Sequence, residues 1–337
     1  MLSIAILSIN RPSLHSAYRL KTFLGDYTVD IYAKKETGED ETPLVYERIE
    51  EVFMQGWERY DAFVCLLATG IVVRKIAPLL QSKTSDPAVL VMSLDLSKVI
   101  PLLSGHLGGA NALSSVIASR IQGCIPFITT ATDQLACLAF DLFAKDHGMG
   151  IANLHRLAAI SNRLINHETI KVFTCKTLFE RFTCKENLIR IEESELDENS
   201  VVIHPLGDYS QLHLKPKLTL GIGCNRNTPF ALIEEAFVWF LAQHHLEKEA
   251  IGALASFEAK ADEAGLLEFS AHYAIPLHFF THEEISRATG NFSPSKATQF
   301  FGLQGVAEPS ALLGSSYQEL VIPKKVYKHQ ITLAGAF

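Results

Sequence analysis

The chain has 337 residues, of which 48% are hydrophobic and 20% charged, which is the balance of a globular protein with core enough for two or three domains. The formal net charge of −7, without any basic run or stripe, argues against a nucleic-acid-binding protein. The longest apolar stretch, residues 62–73, is too short to span a bilayer and is interrupted by a Thr-Gly pair, so we expect no membrane partner.

The N-terminal third alternates short β-branched runs with longer segments of helical period. The opening MLSIAILSIN lacks a basic region and predicts a first strand rather than a signal peptide. Alternation of this kind predicts a parallel sheet with helices on both faces, and we assign residues 1–134 to an N-terminal α/β domain. The predicted strands are SIAILSI, TVDIYAK, AFVCLLA, AVLVMSL, VIPLL and PFITT, and the predicted helices include SLHSAYRLKTFL, EEVFMQGWERY and ANALSSVIASRI.

From about residue 135 the pattern changes to two helical segments, QLACLAFDLFAKDHG and ANLHRLAAISNRLIN, followed by short strands. This pattern predicts a small α+β middle region over residues 135–216. A second strand and helix series predicts a C-terminal α/β domain over residues 217–337. It includes the strands LTLGIGC, AIGALASF and PLHFF, the helix PFALIEEAFVWFLAQHHL, a helix opened by the capping box THEE, and the closing strands ELVIPKK and HQITLAGAF.

Several strand-to-helix junctions are unusual in composition, and ligands of open parallel sheets bind at such junctions. They are ATGIVVRKIAP, SGHLGGAN, TTATD and GIGCNRNTP. The glycines of SGHLGGAN predict close backbone approach or positive φ, with amides suited to an anion. We expect the amides of residues 104–109 and neighbouring cations to surround one cavity. Asp133 and Thr228 are interpreted as helix N-caps, with Pro229 as the first helical residue.

Familiar catalytic motifs do not occur at these junctions. GIGCNRNTP lacks the third glycine of a GxGxxG dinucleotide motif, and the chain has no GxSxG nucleophile turn. The histidines show no metal-ligand spacing, and the six cysteines are scattered without a CxxC, which is typical of free thiols in a reduced, cytoplasmic protein. From the residues alone, the chain is an α/β protein that binds a small anionic molecule.

Six segments occur in an order found in a known family: GIVVRKIAPLLQSKTSDPAVLVM, LLSGHLGGAN, ITTATD, GIGCNRNT, ASFEAKADEAGLLEF and GVAEPSALL. With them the chain resembles the CbiG family of cobalamin-biosynthesis proteins, the cobalt-precorrin-5A hydrolases of the anaerobic corrin pathway. The resemblance extends from near residue 60 to the C-terminus and implies a C-terminal domain similar to the stand-alone protein CobE. It also implies an enzyme in which water opens a δ-lactone on the contracting macrocycle. The two-carbon fragment that holds the former meso carbon then leaves as acetaldehyde, and the product is cobalt-precorrin-5B.

The implied substrate is a cobalt corrinoid that carries many carboxylates around a flat, largely apolar ring. Because cobalt arrives inside this substrate, we expect no cofactor and no metal site on the protein. Other enzymes of the corrin pathway are the candidate protein partners.

His106 is the junction residue best suited to proton transfer, because histidine titrates near pH 6.5. The acid–base alternatives are Glu258 and Glu308. The amides of Gly108 and Gly109 are candidate donors to an oxyanion or a carboxylate. The cations expected to meet substrate carboxylates are Arg74, Lys75, Lys83, Arg226 and Lys260. The other predicted substrate-binding residues are Thr69, Gly70, Ser104, Gly105, Asn111, Thr130, Thr132, Asp133, Gly223 and Thr228.

Asn225 and Asn227 stand where the family usually has a basic residue and a glycine. Asparagine tolerates a left-handed backbone, so we expect the turn to survive with one positive charge fewer. Two other functions stay open: a non-catalytic corrinoid-binding or handover protein, and a nucleotide-binding α/β enzyme. Release of acetaldehyde separates a hydrolase from the first, and stabilisation by NAD(P) or ATP identifies the second.

Overall fold

The computed structural model describes residues 2–35, 43–82, 85–135, 137–293 and 302–337. The chain forms two compact units, Met1–Ala136 and Cys137–Phe337. Strands and helices alternate in both units and build three sheets, so the predicted α/β fold class is confirmed. The division into three domains at residues 134 and 216 stays a prediction.

The first unit contains one seven-stranded sheet. Its strands are β1 (Ser3–Ser8), β2 (Thr28–Lys34), β3 (Leu44–Tyr46), β4 (Ala62–Cys65), β5 (Ala88–Met92), β6 (Lys98–Leu103) and β7 (Ile125–Pro126). Its helices are α1 (Arg11–Thr22), α2 (Ile49–Gly56), α3 (Thr69–Ile76), α4 (Ala110–Arg120) and α5 (Ala131–Gln134). The spatial order is β3-β2-β1-β4-β5-β6-β7.

The pair β5–β6 is antiparallel, whereas the other neighbouring pairs of this sheet are parallel. The prediction of a parallel sheet is therefore wrong at this one pair. Only residues 93–97 connect the two strands, and the amide of Ser93 donates to the carbonyl of Lys98 at 3.0 Å. A parallel crossover needs a dozen or so residues, so this short connection allows only a hairpin.

Alternate residues of β1 point to opposite faces of the sheet and enter two separate cores. Ile4 and Ile6 belong to the core that contains Leu14 of α1. Ala5 and Leu7 belong to the core that contains Phe53 of α2. Helices therefore cover both faces, as the strand–helix alternation predicts.

The second unit contains two five-stranded sheets. The first has the order β10-β9-β11-β12-β8, with β8 antiparallel to β12 and the other pairs parallel. Its strands are β8 (Gly150–Ala152), β9 (Ile170–Phe173), β10 (Leu188–Ile191), β11 (Val201–Ile203) and β12 (Leu212–Lys215). The accompanying helices are α6 (Phe140–Asp146), α7 (Leu157–Ile165) and α8 (Lys176–Glu180), so α6 is shorter than the predicted helix over residues 134–148.

The second of these sheets has the order β15-β14-β13-β17-β16, in which β13, β14 and β15 are parallel and β17 is antiparallel to both its neighbours. Its strands are β13 (Leu218–Cys224), β14 (Ile251–Phe257), β15 (Leu277–Phe280), β16 (Leu320–Tyr327) and β17 (Ile331–Ala336). Its helices are α9 (Phe230–Gln243), α10 (Ala264–Tyr273), α11 (His282–Arg287) and α12 (Ala307–Gly314). The predicted capping box is confirmed, since Thr281 and Glu284 each bond the other's backbone amide.

No helix in the described ranges combines the length and the apolar character needed to cross a membrane. All six cysteines are free thiols.

His213 of β12 has no exposed surface, and we expect its burial to make the stability of this unit sensitive to acid. Its Nε2 lies 2.7 Å from the carbonyl oxygen of His204 and donates to it, whereas Nδ1 is buried without a partner. Burial lowers the pKa of His213 to about 4, from an ordinary value of 6.5. The unfolded chain therefore binds a proton at this residue below about pH 6.5, while the folded protein does not until about pH 4.

We expect the free energy of unfolding to fall between pH 7.5 and pH 5 by about 2 kcal/mol more in the wild type than in His213→Gln. Glutamine retains an N–H donor for His204 but binds no proton. Urea unfolding at both pH values measures the difference. His245→Gln, which replaces an exposed histidine, should keep the wild-type pH dependence. If the free energy of unfolding changed equally with pH in the wild type and in His213→Gln, the result would contradict this explanation.

Candidate functional site

The segment SGHLGGAN forms a tight turn between β6 and α4. Ser104 and Gly109 both adopt left-handed backbone conformations, with φ of 58° and 85°. The amide of Gly109 donates to the carbonyl of His106 at 3.0 Å, and the amide of Ala110 donates to the carbonyl of Ser104 at 3.1 Å. The turn therefore uses its own carbonyls to satisfy amides at the start of α4.

These bonds correct one prediction about the turn. The amide of Gly109 is already bonded within the turn, so it is not the ligand donor that we expected. Within the described residues the amide of Gly108 has no backbone acceptor, which leaves it as the candidate oxyanion donor. A Cβ at Gly108 would lie 2.3 Å from the Cβ of Ser104, so the chain closes this tightly only with glycine at that position.

Five predicted polar residues lie in or beside the turn. Asn111 donates from Nδ2 to Oγ1 of Thr130 at 3.0 Å. Nε2 of His106 lies 3.5 Å from Oγ1 of Thr132, at the outer limit of a hydrogen bond. Asn111 and Thr132 are buried, whereas His106 and Thr130 are half-buried. The hydroxyl of Ser104 is also buried and has no hydrogen-bond partner.

Strand direction explains why these residues meet. β6 and β7 are parallel neighbours, so their carboxyl ends lie at the same edge of the sheet. The 104–111 segment follows β6, and the 127–132 segment follows β7. We call this group of Ser104, His106, Gly108, Asn111, Thr130 and Thr132 the histidine turn site.

The junction that contains Thr69 and Gly70 lies at the opposite edge of the sheet. It follows the carboxyl end of β4, which is parallel to β5. Because β6 is antiparallel to β5, the carboxyl end of β6 lies beside the amino end of β5. Because of this antiparallel hairpin, the cations of the Thr69 and Gly70 junction are not among the neighbours of the 104–109 turn, and the expected cavity formed by that turn and neighbouring cations stays a prediction.

The two predicted cations of α3 already have partners within the protein. Arg74 donates from Nη1 to the carbonyl of Gly70 at 2.8 Å and is exposed. Lys75 forms an ion pair and hydrogen bond with Glu50 of α2, which holds the pKa of Glu50 below its usual value. Lys75 therefore already pairs with a carboxylate of the protein, and the predicted contacts of Lys75 and Arg74 with substrate carboxylates stay predictions.

Two loops meet at the carboxyl edge of the C-terminal sheet, residues 225–229 after β13 and residues 258–263 after β14. Arg226 of the first loop pairs with Asp262 of the second, and their hydrogen bond lowers the pKa of Asp262. Lys260 lies close to the buried Glu263, with Nζ 3.5 Å from Oε2. The structure thus brings Arg226 and Lys260 to one shared carboxylate, Glu263, which the sequence analysis did not single out.

Thr228 has a different role from the predicted N-cap. Helix α9 begins at Phe230 with Pro229 in the N-cap position, and no side chain caps it. Thr228 instead donates its amide to Oε1 of Glu263 at 3.0 Å and its hydroxyl to the carbonyl of Asn225 at 2.8 Å. The preceding Asn227 has φ of 59°, so the turn does survive with asparagine, as expected.

The alternative acid–base candidates, Glu258 and Glu308, follow strands of the C-terminal sheet, and both accept hydrogen bonds from the protein itself. Oε1 of Glu258 accepts the amide of His282 at 3.0 Å, and this side chain is exposed. Glu308 is 2% exposed and accepts bonds from the amide and hydroxyl of Ser293 and from the amide of Lys324, at 2.7–3.0 Å. Because its two oxygens hold backbone in place, Glu308 is corrected from an acid–base candidate to a structural carboxylate.

The other predicted residues lie in the backbone of the turn, in β13 or outside the described ranges. Gly105 accepts the amide of Asn111 at its carbonyl, at 3.0 Å. Gly223 lies in β13 and pairs with Thr332 of β17. Lys83 and the side chain of Asp133 fall outside the described residues. In the described ranges no three His, Cys, Asp or Glu side chains are grouped to hold a metal ion.

Three family models match the chain in succession. The model described as Cobalamin synthesis G N-terminal matches residues 51–133, and Cobalamin biosynthesis central region matches residues 138–249. Cobalamin synthesis G C-terminus matches residues 218–336. The N-terminal match contains the 104–111 and 127–132 segments, and the C-terminal match contains the 225–229 and 258–263 loops.

Curated relatives extend this similarity. A cobalt-precorrin-5A hydrolase of Priestia megaterium is 28% identical over 352 residues, covering 95% of this chain and 91% of the relative. A cobalt-precorrin-5A hydrolase of Salmonella typhimurium is 32% identical over 279 residues, covering 79% of each chain. The protein CobE of a Sinorhizobium species is 32% identical over 125 residues, covering 35% of this chain and 79% of that protein. The chain therefore belongs to the CbiG family of cobalamin synthesis proteins, as the resemblance predicted.

Proposed function

We propose that this protein is a cobalt-precorrin-5A hydrolase of cobalamin biosynthesis. The observation that carries the proposal is its similarity, over 95% of its length, to a relative of that name. The histidine turn site agrees with it, because it places an imidazole and a backbone amide within one turn. A lactone hydrolase requires a group of each kind, a proton acceptor and an oxyanion donor.

The proposed reaction adds one water and removes one acetaldehyde. Water attacks the lactone carbonyl, the acyl–oxygen bond breaks, and a carboxylate and the hydroxyl of the two-carbon fragment are formed. Loss of that hydroxyl proton lets the carbon–carbon bond to the macrocycle break, and the fragment leaves as acetaldehyde. The electron pair of the broken bond stays on the macrocycle, which takes up a proton, so no oxidant or reductant is needed.

We assign the proton transfer to His106 and the oxyanion contact to the amide of Gly108. His106 in its neutral form takes a proton from the attacking water, and the imidazole group is the side chain best suited to act as a base near neutral pH. Thr132, at 3.5 Å from Nε2, restricts the orientation of the ring. The left-handed backbone at Ser104 is strained for a non-glycine residue, as is common at functional sites.

Carboxylates at the rim of the corrinoid need cationic partners. We propose Lys260 and Arg226, at the carboxyl edge of the C-terminal sheet, as partners of such carboxylates. Arginine and lysine form short charge-assisted hydrogen bonds with carboxylates. No separate cofactor is part of the proposal, because cobalt enters with the substrate. We place the reaction in the cytoplasm, supported by the free thiols, with other corrin-pathway enzymes supplying substrate and taking product.

Purified protein incubated with cobalt-precorrin-5A tests the proposal. We expect acetaldehyde to appear in a one-to-one ratio with the substrate consumed. Binding of the corrinoid, seen as a change in its visible absorbance, without acetaldehyde release would indicate the handover protein instead and would overturn the proposal.

A further inference from the structure

Glu263 is a buried carboxylate whose two oxygens have different surroundings. The residue is 3% exposed and directly precedes α10. Oε1 accepts the amide of Thr228 at 3.0 Å. Oε2 is buried and accepts no hydrogen bond, although Nζ of Lys260 lies 3.5 Å away and Nη1 of Arg226 lies 3.9 Å away. One oxygen therefore holds the 225–229 loop, and the other faces two cations.

The contact with Thr228 alone does not require a charge. A neutral amide side chain would accept the same N–H without burying a carboxylate, which is costly in a protein interior. The charge of Glu263 acts instead on its cationic neighbours, above all on Lys260, whose side chain is only 14% exposed.

Lys260 is held electrostatically while its hydrogen-bond donors stay available. At 3.5 Å its contact with Glu263 is an ion pair without a hydrogen bond. Within the described residues its ammonium donates no hydrogen bond to a protein acceptor, although an ammonium carries three donors. An ammonium fixed in place with unused donors is suited to receive a carboxylate from outside the protein.

Helix α10 and the 225–229 loop are in direct backbone contact, so the position of Glu263 also sets the position of the loop. A Cβ at Gly265 would lie 2.2 Å from the carbonyl oxygen of Thr228, so this approach requires glycine. We propose that Glu263 is a positioning residue, which fixes Lys260 and the 225–229 loop to receive a carboxylate of the corrinoid. This inference rests on the proposed function.

The variant Glu263→Gln separates positioning from a merely structural role. Glutamine keeps an oxygen for the amide of Thr228, but it removes the charge and turns an N–H group toward Lys260. We expect KM for cobalt-precorrin-5A to rise about tenfold with kcat nearly unchanged, because lost ground-state contacts raise KM alone. If Glu263 merely competed with the substrate for Lys260, the same variant would lower KM, and that result would overturn the proposal.

A double variant tests whether Glu263 acts through Lys260. Lys260→Met should raise KM by a similar factor, and Glu263→Gln should add little to it, because residues that act on one contact are not additive. Full additivity would overturn the proposal. Glu235→Gln is the matched control, since it removes an exposed carboxylate paired with Lys328, and it should leave KM unchanged.

Equilibrium binding distinguishes failure of this inference from failure of the proposed function. The dissociation constant of cobalt-precorrin-5A is measured by its visible absorbance in a His106→Asn background, where the proposed chemistry is slow. We expect about tenfold weaker binding when Glu263→Gln is added. Unchanged or tighter binding overturns the role of Glu263, whether or not the wild type releases acetaldehyde. Absence of acetaldehyde with the wild type counts against the proposed function alone.

Discussion

Replacing His106 with asparagine is expected to lower the rate of acetaldehyde release by roughly 10²–10⁴-fold, the usual contribution of a general base. Asparagine is polar and similar in reach, but it cannot accept a proton from water at neutral pH. The assay is single-turnover acetaldehyde release at saturating cobalt-precorrin-5A, so that binding does not limit the rate.

His278→Asn is the control for this prediction. His278 lies in β15 of the second unit and is exposed, so its loss should leave the rate unchanged. Thr132→Val, which removes the hydroxyl 3.5 Å from Nε2, should cost about tenfold or less, because it affects only ring orientation. Full activity in His106→Asn would remove this histidine from the mechanism.

Gly108→Ala is expected to reduce kcat/KM by about 100-fold, in the range observed for loss of one oxyanion donor. The new methyl group would lie 2.3 Å from the Cβ and 2.8 Å from the carbonyl oxygen of Ser104, so the turn must move. That movement displaces the Gly108 amide and the neighbouring His106. Overpacking of this kind also costs about 1–3 kcal/mol of folding free energy.

Urea unfolding together with steady-state kinetics separates these two effects of Gly108→Ala. Gly25→Ala is the matched control, because a Cβ at Gly25 has no atom within 4 Å, and both its stability and its activity should match the wild type. A Gly108→Ala variant with lowered stability but unchanged kcat/KM would show that the glycine serves folding alone.

Local patterns were sufficient to predict most strands and several helices. β1 and β13, for example, are mostly apolar segments whose residues are buried along most of their length, and such segments carry a strong signal in the sequence. The antiparallel β6 was missed although the necessary clue was present. Residues 93–97 are too few for a parallel crossover, and counting the connection would have predicted the hairpin.

The local structure of the candidate site was predicted best where its residues are close in sequence. The glycines of the 104–109 segment indicated a constrained turn, which the structure contains. The partners of the cations could not be predicted in this way, because an ion pair depends on which elements pack together. Lys75 pairs with Glu50 from a separate helix, and Glu263 contacts the amide of Thr228 across 35 residues of chain.

A crystal structure with bound cobalt-precorrin-5A or its hydrolysis product tests the central claim most directly. The account predicts that the lactone-derived carboxyl group lies within hydrogen-bond distance of the Gly108 amide, with an imidazole nitrogen of His106 beside it. A corrinoid bound with no atom in contact with residues 104–111 would contradict the account.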